Sequence, residues 1–263
     1  MTVKLVAIDL DGTLVNSEGI VSNRNIETLR KVSQSEIIVV IATGRSPNSA
    51  KYIIEEILQI KGYYISLNGA FIGESYTSRP IQQTFISYND VKETLIKVKQ
   101  LGIGIVCNAG FNSILFNNDK ETHPLFNSAF VYSDLKECMK MIQNSYPINK
   151  LSIHHADKDI LKYMREFWND IGLEATQSDK DYIEAMRKEC SKGNSLKKLA
   201  KNFNIELEDV LCIGDQENDI EMIKSAGIGI AMENAIQKLK NSANYITSSN
   251  DNDGVSKALE KFI

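Results

Sequence analysis

The chain is poor in what would suit it to nucleic acid, a bilayer or a disulfide framework. Across 263 residues, 30 lysines and arginines meet 34 aspartates and glutamates, a net charge of −4. That lack of positive charge argues against nucleic acid or an anionic membrane as the main partner. A small anion stays open, because a local cation cluster can override the global sign. The longest uncharged apolar stretch, Ile37 to Ala42, falls far short of the about 20 residues a membrane helix needs. No charged leader precedes Val3-Lys4-Leu5, so no secretory signal is expected. The four cysteines, Cys107, Cys138, Cys190 and Cys212, show no close pairing and fit a reduced, cytoplasmic setting. The three histidines, His123, His154 and His155, have no recognised ligand spacing, and adjacent residues of a strand point to opposite faces. Gly102-Ile103-Gly104 lacks the third glycine of a dinucleotide fingerprint, and Gly44 to Lys51 lacks the second glycine of a P-loop.

Hydrophobic residues make up 43% of the chain and charged residues 24%, enough for a globular core. The two ends share a rhythm. Leu5 to Ile8, Ile37 to Ala42, Tyr63 to Leu67, Val210 to Ile213 and Ile228 to Met232 read as buried strands. Between them fall helical stripes: Ile26, Leu29 and Val32 after a Ser22 cap; Ile53, Ile54, Ile57 and Leu58 after Ser46-Pro47; Leu196, Leu199, Ala200 and Phe203; Ile220, Met222 and Ile223. Unbroken apolar strands alternating with helices predict an α/β fold with a parallel sheet covered on both faces. From about 85 to 186 the strands carry polar residues, as in Ser113 to Phe116 and Lys150 to His154, among helices near 89–100, 133–144 and 158–170. That texture predicts a second α+β unit inserted into the first. Trp168, with Tyr163, Met164 and Phe167, is expected in its core.

The first strand ends in Asp9-Leu10-Asp11-Gly12-Thr13-Leu14. If extended, it places Asp9 and Asp11 on one side, two carboxylates that repel unless a cation or a transferred proton separates them. Gly12 suits a sharp turn. Three further segments follow predicted strands or open helices. Thr43-Gly44-Arg45 offers a hydroxyl and a backbone N–H to a phosphate oxygen, or a helix cap. Lys192, in Ser191-Lys192-Gly193-Asn194, offers a compact cation, or an ordinary surface lysine. Gly214-Asp215-Gln216-Glu217-Asn218-Asp219 supplies oxygen ligands of the kind Mg²⁺ takes, or an acidic helix start.

In this order, DxDGT, TGR, KG and GDxxND, the segments resemble the haloacid dehalogenase superfamily, specifically its Cof-type sugar-phosphatase branch. Leu67 to Ala70, Ala226 to Met232, Asn234-Ala235 and Asn250 to Val255 are similar to that branch as well, so the resemblance spans essentially the whole chain. It implies a Rossmann-like, doubly wound core over 1–84 and 187–263 with an inserted α+β cap over 85–186 that closes over substrate. It implies Mg²⁺-dependent hydrolysis of small phosphomonoesters, sugar phosphates or related metabolites, with a phosphomutase or a non-catalytic phosphometabolite sensor as alternatives. Asp9 would be the nucleophile and Asp11 the acid and base. Thr43, Gly44, Lys192 and Asn218 would bind the phosphoryl group. The metal would lie on Asp9 and Asp215, with the Asp11 side chain or the Leu10 carbonyl completing the set and Asp219 ordering it. A small phosphorylated metabolite is the expected partner, and the expected assembly is a monomer or weak dimer. One of His154 and His155 is a candidate to face substrate from the cap. The branch often has glycine where Glu233 stands, an extra acid expected at the rim.

Overall fold

The computed structural model describes residues 2–77, 79–117 and 130–263. The chain forms two compact units, Met1–Gln82 with Cys190–Ile263, and Gln83–Glu189. In chain order the first unit opens with β1 (Leu5–Asp9), α1 (Asn23–Gln34), β2 (Ile38–Ala42), α2 (Pro47–Tyr52), β3 (Tyr63–Ser66), β4 (Phe71–Glu74) and β5 (Pro80–Gln83). The second unit contributes α3 (Tyr88–Leu101), β6 (Ile105–Ala109), β7 (Asn112–Phe116), β8 (Phe130–Tyr132), α4 (Leu135–Ser145), β9 (Lys150–His154), α5 (Lys158–Asp170), β10 (Leu173–Asp179) and β11 (Tyr182–Arg187). The first unit resumes with α6 (Lys192–Asn202), β12 (Val210–Gly214), α7 (Ile220–Ser225), β13 (Ile228–Ala231), α8 (Gln237–Lys240), β14 (Tyr245–Ile246) and α9 (Gly254–Phe262).

The first unit's sheet runs β14-β13-β12-β1-β2-β3-β4-β5. From β14 to β3 every pairing is parallel. β1 and β12 are buried along their whole length, which is why both read as unbroken apolar runs. β1 sits between β12 and β2, where the strand order reverses. Ligands of open α/β sheets bind beyond the carboxyl ends at such a switch point. Ile8 lies opposite Ile213, and Asp9 opposite Ala42. The residues just past β2 and β12, Thr43 and Asp215, therefore emerge beside Asp9.

The structure departs from the sequence expectations in three places. α2 is short and continues as a π-helical segment, Ile53–Leu58, which Gln59 closes in the left-handed conformation. On α1, Asn25 is buried while Ile26 is only half-buried, because the Asn25 carboxamide accepts the N–H and hydroxyl of Ser256. The third strand ends at Ser66: Leu67 and Asn68 take positive φ, 51° and 52°, and turn the chain into β4, antiparallel to β3. The sheet is thus not wholly parallel.

In the second unit the sheet order is β10-β11-β9-β6-β7-β8, antiparallel except between β7 and β8. Leu95 and Val98 of α3 and Met164 and Trp168 of α5 pack with Cys107, Ile114, Leu151 and Ile153 from one face. The Trp168 indole N–H donates to Thr94 Oγ1 at 3.2 Å, satisfying the one polar atom of a buried side chain. Alternation puts Lys150, Ser152 and His154 on the other face, where Lys150 forms a buried ion pair with Glu184. His155 lies beyond β9, and its Nδ1 accepts the Asp157 N–H at 3.0 Å. It terminates the strand at the approach to α5. The His154 ring is 6.3 Å from that of Tyr182. His123 falls outside the described residues.

Candidate active site

The carboxyl end of β1 delivers Asp9, only 4% exposed, into a cluster of buried charge. Lys192, the first residue of α6, is 2% exposed. Its Nζ donates to Asp9 Oδ1 at 2.6 Å and to Asp219 Oδ1 at 2.7 Å. The α6 terminus that carries it is fixed from two sides. The Ser191 hydroxyl caps the helix at Asn194 N–H and donates to Glu221 of α7, and Ser195 Oγ donates to the Gly69 carbonyl at 2.7 Å. Gly69 has φ +99°, and a Cβ there would meet the Ser191 carbonyl oxygen at 2.3 Å, so only glycine lets the turn after β3 lie against α6.

Asp219 is fully buried, and both its oxygens are in use. Oδ1 accepts from Lys192, and Oδ2 accepts the Asp215 and Gln216 N–H groups at 3.1 Å each. Asp215 Oδ1 accepts from Thr13 Oγ1 at 2.9 Å, and its Oδ2 from the Gln216 amide at 3.1 Å. Gly12, at φ +79°, permits this approach: a Cβ would lie 2.4 Å from Asp215 Oδ2. The Asn234 amide donates to the Gly12 carbonyl at 2.7 Å and steadies the turn.

Asp9, Asp215 and Asp219 each offer an oxygen within 4.8 Å of the others. Three buried carboxylates face one ammonium, a formal excess of two negative charges. Burial, then the charge of Asp219, pushes the Asp9 carboxyl well above the usual range, against the pull of Lys192. Burial and Asp219 raise Asp215 as well. Burial works against the Lys192 ammonium, but Asp219 and Asp9 outweigh it and hold its pKa above the ordinary lysine value. A divalent cation would cancel the excess of two charges, and the all-oxygen donor set suits a hard ion.

The other sequence-derived residues fall around this cluster. Thr43 is fully buried, and its Oγ1 accepts the Arg45 N–H at 3.0 Å. Gly44 lies against Asn68, where a Cβ would come within 3.0 Å of Oδ1. Asn218 is exposed, and its amide donates to the same Asn68 oxygen at 3.2 Å. β1 ends at Asp9, two residues before Asp11. The Asp11 carboxylate, half exposed, is gripped by Arg45, with Nε on Oδ2 at 2.9 Å and Nη2 on Oδ1. The Leu10 carbonyl closes the turn by accepting the Val15 N–H at 2.8 Å and the Thr13 N–H at 3.4 Å. Glu233 Oε2 accepts the Ser249 N–H at 3.2 Å, so this acid anchors the 249–252 turn.

Sequence reasoning did not single out Thr13, Arg45, Asn68, Gln216 or Asn234. Asn68 had a signal, since an Asn-Gly pair after a strand is the chemistry of a left-handed turn. Thr13, Arg45 and Asn234 reach partners 34 to 222 positions away and leave no local trace, whereas Gln216 binds its neighbour Asp215.

A strand-end acid cluster at the switch point of a doubly wound sheet defines a class of hydrolase, and the comparisons agree. The family model for haloacid dehalogenase-like hydrolases matches residues 6–259. A putative phosphatase of Streptococcus pyogenes serotype M6 is 30% identical over 100% of this chain and 99% of its own. The 5-amino-6-(5-phospho-D-ribitylamino)uracil phosphatase YcsE of Bacillus subtilis is 29% identical over 99% and 96%. A haloacid dehalogenase-like hydrolase structure from Bacteroides thetaiotaomicron superposes with a TM-score of 0.87 at 27% identity, covering 100% of both chains. The chain belongs to the haloacid dehalogenase-like hydrolases, in their Cof-type branch, and is an enzyme of the phosphatase class. Among the described residues no helix is long and apolar enough to cross a membrane.

Proposed function

We propose that the enzyme hydrolyses small phosphomonoesters, sugar phosphates or related phosphorylated metabolites, with Mg²⁺ as its metal and an aspartyl phosphate on Asp9. The observation that carries this reading is the buried Lys192 ammonium bonded to both Asp9 and Asp219, inside a cluster of three carboxylates. Lys192 opposes the upward push of burial on the Asp9 carboxyl and aims it, as a carboxylate nucleophile requires. Asp9 and Asp215 would hold Mg²⁺, with Asp219, its oxygens already used, ordering them. The metal would supply charge compensation between an anionic nucleophile and an anionic substrate.

In the first half-reaction an Asp9 oxygen bonds to phosphorus as the ester P–O bond breaks, and Asp11 gives a proton to the departing alkoxide. In the second, Asp11 takes a proton from the water that attacks phosphorus, the Asp9–phosphorus bond breaks, and the carboxylate is restored. Thr43 and Lys192 would hold the phosphoryl oxygens, with the Gly44 backbone and Asn218 beside them. A ribityl phosphate, as in the name of the Bacillus subtilis relative, is one member of the proposed substrate class. Four buried cysteines, none of them in a disulfide, support a reducing, cytoplasmic setting.

The test is phosphate release from a panel of sugar phosphates, ribityl phosphates, nucleotides and p-nitrophenyl phosphate, with Mg²⁺, with EDTA, and with Asp9→Asn. Release that needs both metal and Asp9 is expected. No release from any compound by folded, Mg²⁺-supplied enzyme would overturn the hydrolytic reading in favour of a mutase or a sensor.

A further inference from the structure

The Asp11–Arg45 pair stands at the strand ends in an open position. The side chains are 55% and 42% exposed, and an ion pair that open is worth at most about 1 kcal/mol to the fold. Its geometry is nonetheless specific. Two guanidinium nitrogens engage both carboxylate oxygens, an arrangement that fixes the plane and position of the acid as well as its charge.

The backbone of Arg45 is itself held rigidly. Its N–H donates to Thr43 Oγ1 at 3.0 Å, and its carbonyl accepts the Leu67 N–H at 3.0 Å. The next residue, Ser46, caps α2 at the Ser49 N–H. The stem is thus tied to the end of β2, to the turn after β3 and to the start of α2. Asp11 lies past the end of β1 in the turn that Gly12 opens; a bridge to Val15 ties its backbone, and Arg45 meets its half-exposed carboxylate. A carboxylate on an exposed turn, two residues beyond its strand, needs an external guide to hold one geometry. The fork of Arg45 is placed to be that guide.

We propose that Arg45 is a positioning residue for Asp11: its guanidinium, carried on a backbone tied on both sides, sets where the carboxylate that exchanges the leaving-group proton can stand. The role rests on the reading of Asp11 as acid and base given above. It makes Arg45 matter in proportion to how much proton the leaving group needs. An alkoxide leaves only when protonated, whereas p-nitrophenolate leaves without help. A role in folding or in phosphate binding would affect both kinds of substrate equally.

The experiment compares kcat/KM for an alkyl phosphate and for p-nitrophenyl phosphate in wild type, Arg45→Gln, Arg45→Lys and Asp11→Asn, with Mg²⁺ present and thermal unfolding checked for each. Arg45→Gln is expected to lose about 10²-fold on the alkyl phosphate, the scale of a misplaced catalytic group, and at least about tenfold less on the aryl phosphate. Arg45→Lys should stay impaired with the same selectivity, since an ammonium cannot engage both oxygens as the fork does. Equal losses on the two substrates, or full recovery by Arg45→Lys, would overturn the proposal. Asp11→Asn separates the two readings. If it is selective while Arg45→Gln is not, the role of Arg45 falls alone. If Asp11→Asn is unselective as well, the acid–base reading falls and takes the Arg45 role with it.

Discussion

Each unit of this enzyme buries a lysine against a carboxylate, and the two sites are built differently. In the second unit Lys150 meets Glu184 on the sheet face away from the helices, one ammonium to one carboxylate among the described residues. At the carboxyl edge of the first unit's sheet Lys192 meets Asp9 and Asp219, with Asp215 alongside. A one-to-one buried pair offsets its own desolvation when the geometry is good, and hydrophobic residues of similar volume often replace it without loss. The three-to-one cluster has no such balance. Burial, then the charge of Asp219, lifts the Asp9 and Asp215 pKa values, and the surplus of carboxylates suits a cation. Matched burial makes a structural element; mismatched burial makes a reactive one.

The largest expected effect breaks the reactive side. Asp9→Asn should lower turnover on the order of 10⁶-fold, the scale seen when a covalent nucleophile is removed. It should leave the metal-free protein at least as stable, because one negative charge leaves an overcharged cluster while the amide oxygen still accepts from Lys192. A clear drop in stability in EDTA would mean that the carboxylate is structural.

Next come the lysines. Lys192→Met and Lys150→Met should each cost about 3–5 kcal/mol in denaturant unfolding, the penalty of stranding buried carboxylates. The double change Lys150→Met with Glu184→Leu should recover most of that loss. No comparable repair exists for Lys192, whose partners are needed for chemistry. If the double variant is no better than the single one, the balanced-pair account of the second unit fails.

A smaller effect concerns the cation. At about 100 times its dissociation constant, Mg²⁺ should add roughly 2.7 kcal/mol to the unfolding free energy of the wild type. The increment should vanish in Asp215→Asn, and an undiminished increment there would place the metal elsewhere.

The smallest effect tests a buried polar group that has no partner at all. Tyr64 is fully buried, and its hydroxyl makes no hydrogen bond. Tyr64→Phe should raise stability by about 1 kcal/mol at neutral pH. Burial, assisted by Glu55, pushes the phenol to about 12 from 10.0. The unfolded chain therefore ionises first, and this residue's contribution, complete below pH 10, is lost as pH rises towards 12. Tyr64→Phe should flatten that alkaline decline, measured by urea unfolding across the window.

Much of the fold was legible because buried parallel strands advertise themselves as continuous apolar runs. β1, β2, β12 and β13 stand close to where those runs fall, and β9 and α5 of the second unit do as well. β4 was not legible. It depends on Leu67 turning through a left-handed conformation that a leucine does not announce, and on packing between Gly69 and Ser191. The acids at the strand ends were visible as types and positions, but the partner that Asp11 takes, Arg45 at 34 positions' distance, was not.

The sequence by itself determined which side chains stand at the carboxyl ends of strands, since hydrophobic runs set where each strand stops and turn-forming residues bend the chain beyond it. The tertiary structure alone decided who meets whom. The order β12-β1-β2, with its parallel register, brings Lys192 to Asp9 across 183 positions and Thr13 to Asp215 across 202. It also hands Asp11 to Arg45 across 34 positions. Local propensity has a reach of a few residues, whereas sheet order and register act across the whole chain. The charge imbalance at the centre of this enzyme exists only once they have acted.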